Sequence, residues 1–83
     1  SLGDPRRAIE YYEQRLKIAR EIGDVIGAAE TSFNLARVLA DQGQRSEALR
    51  HAEYAAQAFK QVGHAQYAQM AQQLIAQIRG QRK

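Results

Sequence analysis

The sequence repeats itself with a step of 40 residues, and this repeat constrains the fold more than any other feature. Six identical pairs keep the step: Gly3 and Gly43, Ala8 and Ala48, Glu13 and Glu53, Gly23 and Gly63, Ala28 and Ala68, and Ala36 and Ala76. Aliphatic pairs keep it too: Ile9 and Leu49, Ile22 and Val62, Leu35 and Ile75, and Val38 and Ile78. A fixed period of roughly 20 to 50 residues is typical of stacked repeat units. The sequence therefore predicts a stacked helical repeat.

Local signals predict an all-α domain over residues 1–83, with four helices at about 5–22, 24–41, 45–62 and 64–79 and a tail at 80–83. Asp4 suits the cap of the first helix, and Pro5 suits its first position. Glycines follow the helices, as expected for left-handed end caps. No segment alternates polar and apolar residues with a period of two, so no strand is predicted. Short connections require neighbouring helices to run antiparallel as hairpins.

Each predicted helix carries an apolar stripe that we expect to form the core. In the first helix the stripe is Ala8, Tyr12, Leu16 and Ala19, widened by Ile9, Ile18 and Ile22. In the second helix it is Ala28, Ser32, Leu35, Ala36 and Leu39. The third and fourth helices contribute Ala48, Leu49, Ala52, Ala55, Ala56, Phe59 and Val62, and then Tyr67, Ala71, Leu74, Ile75 and Ile78. The many alanines predict that the helices approach closely.

Composition and charge argue against several kinds of partner. The chain has no cysteine, no basic leader followed by an apolar run, and no apolar run near the ~20 residues that span a bilayer. We therefore expect a cytoplasmic protein without a membrane contact. Residues 42–83 carry six Lys or Arg against two Asp or Glu, but three of these charges are Arg79, Arg82 and Lys83 at the end of the chain. A nucleic-acid interface would gather basic and aromatic residues on one face. We do not expect nucleic acid as a partner.

The titratable residues indicate neither a metal site nor a catalytic site. His51 and His64 fall on different predicted helices, and no carboxylate cluster accompanies them to complete the three or four ligands of a metal site. Glu10 and Glu13 share a helix face, but no nucleophile, oxyanion hole or phosphate-binding loop lies near them in sequence. We expect no enzyme activity, no metal, no cofactor and no small-molecule substrate.

Two runs of residues resemble the tetratricopeptide repeat. Residues 3–14 (GDPRRAIEYYEQ), with Leu16 and Ile18, resemble the second helix of such a repeat. Residues 34–36 (NLA), with Leu39, Gly43 and Ala48, resemble the first helix and the turn that follows it. The 40-residue step is similar to that of the long-repeat subgroup, found in kinesin light chains and many bacterial regulatory proteins. The resemblance implies a fragment of a right-handed α-solenoid that serves as an adaptor or scaffold for other proteins.

Three positions depart from the family pattern. Ala36 stands where glycine is usual, and Ala52 stands where a large aromatic residue is usual; both side chains can be packed. Arg15 occupies a position that is normally small and buried against the preceding helix of the same repeat. No such helix precedes Arg15 here, and we therefore expect the chain to be part of a longer repeat protein.

The resemblance also implies a partner-binding groove lined by the first helix of each repeat. The residues at these positions are Glu30, Phe33, Asn34, Arg37, Asp41, Met70, Gln73 and Gln77. The Asn34 amide is the candidate for hydrogen bonding to the backbone of a bound peptide, since it both donates and accepts hydrogen bonds. Arg37 is expected either to bind a ligand carboxylate or to pair with Asp41. Phe33 is expected to be a groove anchor, unless the fourth helix covers it.

An alternative function is self-association through the first helix. The face made by Ala8, Tyr11, Tyr12, Arg15 and Ala19 lacks the partner helix of a complete repeat. Leaving such an apolar stripe in water forfeits several kcal/mol at ~25 cal/mol per Å². A homodimer or an oligomer that exchanges helices would cover it.

Overall fold

The computed structural model describes residues 3–81, which form four α-helices joined by short turns. The helices are α1 (Pro5–Glu21), α2 (Val25–Asp41), α3 (Arg45–Gln61) and α4 (Ala65–Gly80), and no strand occurs in this range. The all-α fold class is confirmed, and each predicted helix end lies within one residue of the observed one. Gly80, predicted to be in the tail, closes α4, while the predicted tail residues 82 and 83 lie outside the described range.

The three turns between the helices share one geometry. In the first turn, the Gly23 N–H donates to the Arg20 carbonyl oxygen at 3.3 Å, and the Asp24 N–H donates to the Ala19 carbonyl oxygen at 2.8 Å. This Schellman pattern requires a left-handed residue, which glycine supplies without a steric penalty. The same two bonds recur in the other turns, and φ is 75°, 80° and 83° at Gly23, Gly43 and Gly63. One helix and one turn therefore make a unit of half the sequence repeat.

The helix ends are stabilised unequally. Asp4 and Asp24 cap α1 and α2 with their carboxylates, which accept from the Arg6 N–H at 3.1 Å and the Gly27 N–H at 2.8 Å. The residues before α3 and α4, Gln44 and His64, make no side-chain cap. The far end of α4 is held by Arg45, whose Nε donates to the Ile78 carbonyl oxygen at 2.9 Å and whose Nη2 donates to the Arg79 carbonyl oxygen at 3.0 Å.

The core runs between successive helices. Each helix packs against the next one, and α2 also contacts α4. Most of the buried apolar side chains in the described range are alanines, as the close approach of the helices requires. Leu35, Leu39 and Ile78 are the largest apolar side chains that are completely buried. The predicted stripe of α2 is buried throughout, including Ser32.

Four residues predicted to belong to the core are exposed. Ile18 and Ile22 are 52% and 71% exposed, because within residues 3–81 the backbone of α1 lies close to α2 alone, and α2 covers the face with Leu16 and Ala19. Val62 follows the last residue of α3, where the chain turns toward solvent. Tyr67 lies on the rim of α4 beside Phe59, with ring centroids 5.4 Å apart. The buried face of α1 is therefore narrower than the sequence pattern predicted, whereas that of α2 is wider, since Ala29, Thr31 and Ala40 are buried as well.

Candidate functional site

A groove lies between α2 and α4 and consists of two adjoining cavities. The first, which we call the aromatic cavity, has a volume of about 200 Å³ and is lined by Glu30, Phe33, Asn34, Phe59, Tyr67 and Met70. The second, which we call the glutamine cavity, has a volume of about 330 Å³ and is lined by Phe33, Arg37, Ala40, Asp41, Met70, Gln73, Leu74, Gln77, Ile78 and Gln81. Phe33 and Met70 line both cavities, which therefore form one surface, the α2–α4 groove.

The structure brings together all the residues that the sequence predicted for a partner-binding groove. Five come from α2 and three come from α4, and they line the two cavities: Glu30, Phe33, Asn34, Arg37, Asp41, Met70, Gln73 and Gln77. The two sets fall into one groove because α2 and α4 both pack against α3 and contact each other. Partner binding at this groove remains a prediction.

The polar side chains of α2 make few contacts with one another. Arg37 Nη1 donates to Asn34 Oδ1 at 3.4 Å, and the guanidinium lies 5.9 Å from the centroid of the Phe33 ring. No ion pair joins Arg37 to Asp41 in the described part of the chain, so the alternative intrahelical pair is not formed. A hydrogen bond of 3.4 Å is long and weak. The Arg37 guanidinium can therefore turn toward a ligand at small cost.

Aromatic rings from three helices meet at the first cavity. Phe33 is half-buried and packs against the core while it lines the groove, so α4 does not cover it completely, and its role as a groove anchor remains a prediction. Phe59 is 3% exposed and forms the inner wall of the cavity. Tyr67 lies against Phe59, and His64 stacks at 5.6 Å from the Tyr67 ring. The Met70 side chain completes the wall with an adaptable thioether.

The sequence interpretation missed the role of Phe59 and Tyr67 in this groove. Both were assigned to core stripes, because aromatic residues at helical spacing are typical of a core. Phe59 does belong to the core, but it also faces the cavity. Tyr67 shares a helix face with Met70 and Leu74, three and seven residues further on. This spacing could have placed Tyr67 in the groove together with Met70.

The α1 face predicted for self-association is divided by the fold. Ala19 is buried, and Tyr12 is half-buried against the core. The prediction that these two residues lie on an uncovered face is therefore wrong. Ala8 is partly covered as well. Tyr11 and Arg15 are exposed; Arg15 Nη1 donates weakly to the Tyr11 hydroxyl oxygen at 3.5 Å. The uncovered apolar face of α1 is therefore Tyr11, Ile18 and Ile22, with Arg15 between them.

Neither the pattern of a metal site nor that of a membrane-spanning helix occurs within residues 3–81. No group of three His, Asp or Glu side chains within residues 3–81 could hold a metal ion. None of the helices in this range is long and apolar enough to cross a membrane.

Two further residues singled out by the sequence lie outside the groove. Arg79, part of the predicted basic tail, pairs with Glu53 at 3.1 Å, while Arg82 and Lys83 lie outside the described residues. Burial lowers the pKa of His51 below its ordinary value, and the adjacent Arg50 lowers it further.

Comparison with protein families matches residues 1–61 to the family described as tetratricopeptide repeat. The matched segment ends where α3 ends, so it contains three of the four helices. Comparison with curated proteins and with solved structures found no match. The matched family is the one that the sequence runs resembled, whereas the kinesin-light-chain-like subgroup remains a prediction.

Proposed function

The chain belongs to the tetratricopeptide repeat family, and from this premise we propose that it is an adaptor or scaffold module that binds a segment of a partner protein in the α2–α4 groove. Tetratricopeptide repeats are non-enzymatic modules that generally mediate protein–protein interactions. The partner would supply an extended or helical segment, which are the usual forms of a peptide bound in a groove.

The continuity of the two cavities is the observation that carries this proposal. An apolar wall of Phe33, Phe59 and Met70 offers a place for one anchoring side chain. Asn34 lies beside this wall, and the glutamine cavity adds the amides of Gln73 and Gln77, which both donate and accept hydrogen bonds. The apolar site can hold one side chain of a peptide, and the amides beside it can form hydrogen bonds with the N–H and carbonyl groups of the peptide backbone.

The expected affinity is modest. The groove is short and open, and the binding of a flexible segment costs entropy that a small contact area offsets only in part. We expect a dissociation constant of about 1 μM or weaker.

A selection from a random peptide library tests the proposal. Peptides displayed as 12-residue segments would be selected on the immobilised chain, and their dissociation constants would be measured by fluorescence anisotropy. We expect Arg37→Glu to weaken the binding of the selected peptides by about ten-fold, since it places a carboxylate where Arg37 is proposed to bind a carboxylate of the peptide. Arg50→Glu is the matched control, because Arg50 is exposed on α3 and lines neither cavity. If both variants bind equally well, or if no peptide is selected, the groove is not the binding site.

The exposed face of α1 supports self-association as a second candidate function. Tyr11, Ile18 and Ile22 are each more than half exposed and follow one another along the helix at spacings of seven and four. Light scattering behind size exclusion, over a loading range of about a hundredfold, would report a mass that rises with concentration. Ile18→Glu should abolish that rise, while Arg37→Glu should not. A constant monomer mass would contradict this candidate.

A further inference from the structure

We propose that the aromatic cavity binds the side chain of a lysine or arginine in the partner peptide, with the charged group at Glu30 and the aliphatic stem against the aromatic rings. The inference rests on the proposed function, and it adds the chemical class of the residue that the groove selects.

The walls of the cavity suit a long aliphatic stem. The rings of Phe33, Phe59 and Tyr67 and the side chain of Met70 provide an apolar lining on several sides. The volume of about 200 Å³ exceeds the roughly 150 Å³ that holds a benzene molecule in an engineered apolar cavity. One side chain of the size of lysine or arginine therefore fits without a rearrangement of the core.

The charge in the cavity distinguishes a basic occupant from a neutral apolar one. Glu30 is exposed at the rim, and it takes part in none of the ion pairs or side-chain hydrogen bonds found within residues 3–81. On α2 the cation nearest to Glu30 in sequence is Arg37, after a rise of about 10.5 Å along the helix axis. Its guanidinium contacts Asn34 and Phe33, and it forms no ion pair with Glu30 within residues 3–81. An apolar side chain would cover the Glu30 carboxylate without giving it a partner, whereas an ammonium or guanidinium would pair with it.

The charge of the whole groove agrees with this assignment. The two cavities are lined by two carboxylates, Glu30 and Asp41, and by one guanidinium, Arg37. The groove is therefore locally negative on a chain whose formal charge is +3. Opposite potentials across an interface select partners and fix their register. The exposed Tyr67 ring adds a second attraction for a cation, whereas the Phe33 ring already lies 5.9 Å from the Arg37 guanidinium.

Two substitutions separate the charge of the cavity from its shape. Glu30→Gln removes the carboxylate and keeps the size of the side chain. Glu21→Gln is the matched control, because it changes the net charge equally at an exposed position of α1 outside the groove. Tyr67→Leu removes an aromatic face and keeps an apolar side chain at a position that is already 45% exposed.

The test uses peptides selected from the random library on the unmodified chain. We expect lysine or arginine to be enriched at one position, and this enrichment to disappear when Glu30→Gln is the bait. Affinity for a lysine-containing selected peptide should fall about five-fold with Glu30→Gln, about three-fold with Tyr67→Leu, and not measurably with Glu21→Gln. A peptide with norleucine in place of that lysine should bind the unmodified chain and Glu30→Gln with equal affinity, which completes a double-mutant cycle.

The outcomes separate this inference from the proposed function. Peptides that depend on Arg37 but show no basic enrichment, or that bind better with norleucine, overturn the inference and leave the groove as the binding site. Such peptides would identify the cavity as a site for an apolar anchor. Failure to select any peptide overturns both proposals.

Discussion

Replacement of Arg45 by glutamine should destabilise the protein more than any other exposed arginine substitution on α3. Arg45 occupies the first position of α3, where a positive charge opposes the helix dipole. Its guanidinium instead reaches the last turn of α4 and donates to two carbonyl oxygens, those of Ile78 and Arg79. The last carbonyls of a helix have no partner one turn further on, and the Gln81 N–H donates to that of Ile78 at 3.1 Å. Arg45 adds a second donor to Ile78 and one to Arg79, so it reinforces the end of α4.

The size of the effect follows from these two bonds. A hydrogen bond from a charged donor contributes roughly 1.5–3 kcal/mol when it is protected from water. The bond to Ile78 is partly buried, and the bond to Arg79 is exposed, so we take the lower value for the first bond and less for the second. The loss should be about 2 kcal/mol. In a domain of this size about 2 kcal/mol corresponds to a fall of about 10 °C in Tm.

Thermal unfolding followed by circular dichroism measures the loss, and hydrogen exchange locates it. The amides of the last turn of α4 should exchange faster in Arg45→Gln, while those of α1 should be unchanged apart from the global loss of stability. Arg50→Gln is the control; Arg50 makes a single exposed pair with Glu47 at 3.4 Å, which contributes under about 1 kcal/mol. Equal Tm values for the two variants would refute the role assigned to Arg45.

Three further changes test other parts of the structure. Gln44→Asp should raise the free energy of unfolding in urea by about 1 kcal/mol, because α3 has no side-chain cap at its start; an unchanged midpoint would contradict this. Ser32→Ala should leave stability unchanged or raise it by about 1 kcal/mol, because the buried Ser32 Oγ has no hydrogen-bond partner, and a clear loss would reveal one. His51→Gln should flatten the pH dependence of Tm below about pH 6.5. Burial and then Arg50 lower the pKa of His51, so the unfolded chain takes up the proton first, and the unmodified protein loses stability as the pH falls through that window.

The helices were predictable because their signals are local. Asp4 and Gly23 define the ends of α1 through hydrogen bonds with residues at most four positions away, and Pro5 fixes φ at the first helical position. The exposure of Ile18 was not predictable from the pattern alone, because periodicity identifies an apolar face but not the number of helices that cover it. Within residues 3–81 the helix that packs along α1 is α2, and Arg20 reaches Tyr54 of α3 with its side chain. The interaction of Arg45 with α4 was missed for a related reason, since it joins residues more than 30 positions apart.

The groove residues were predictable because they follow helical register on α2 and α4. The successive positions Glu30, Asn34 and Arg37 are separated by four and three residues, so the three side chains share one face of α2. The contribution of Phe59 depends on how α3 packs beneath both helices, and this is a tertiary property. Sequence reasoning assigned Phe59 to the core correctly, but could not show that the core is open to the groove at that point.

The placement of Phe59 also bears on how the specificity of such a module can diverge. Its ring is part of the core and part of the cavity wall, so a substitution there changes folding and recognition together. Glu30, Tyr67 and Met70 line the same cavity from exposed positions, where most substitutions alter stability by less than about 0.5 kcal/mol. Under the proposed function, new partners would therefore be acquired by exchange of these exposed residues, while the buried Phe59 ring stays unchanged.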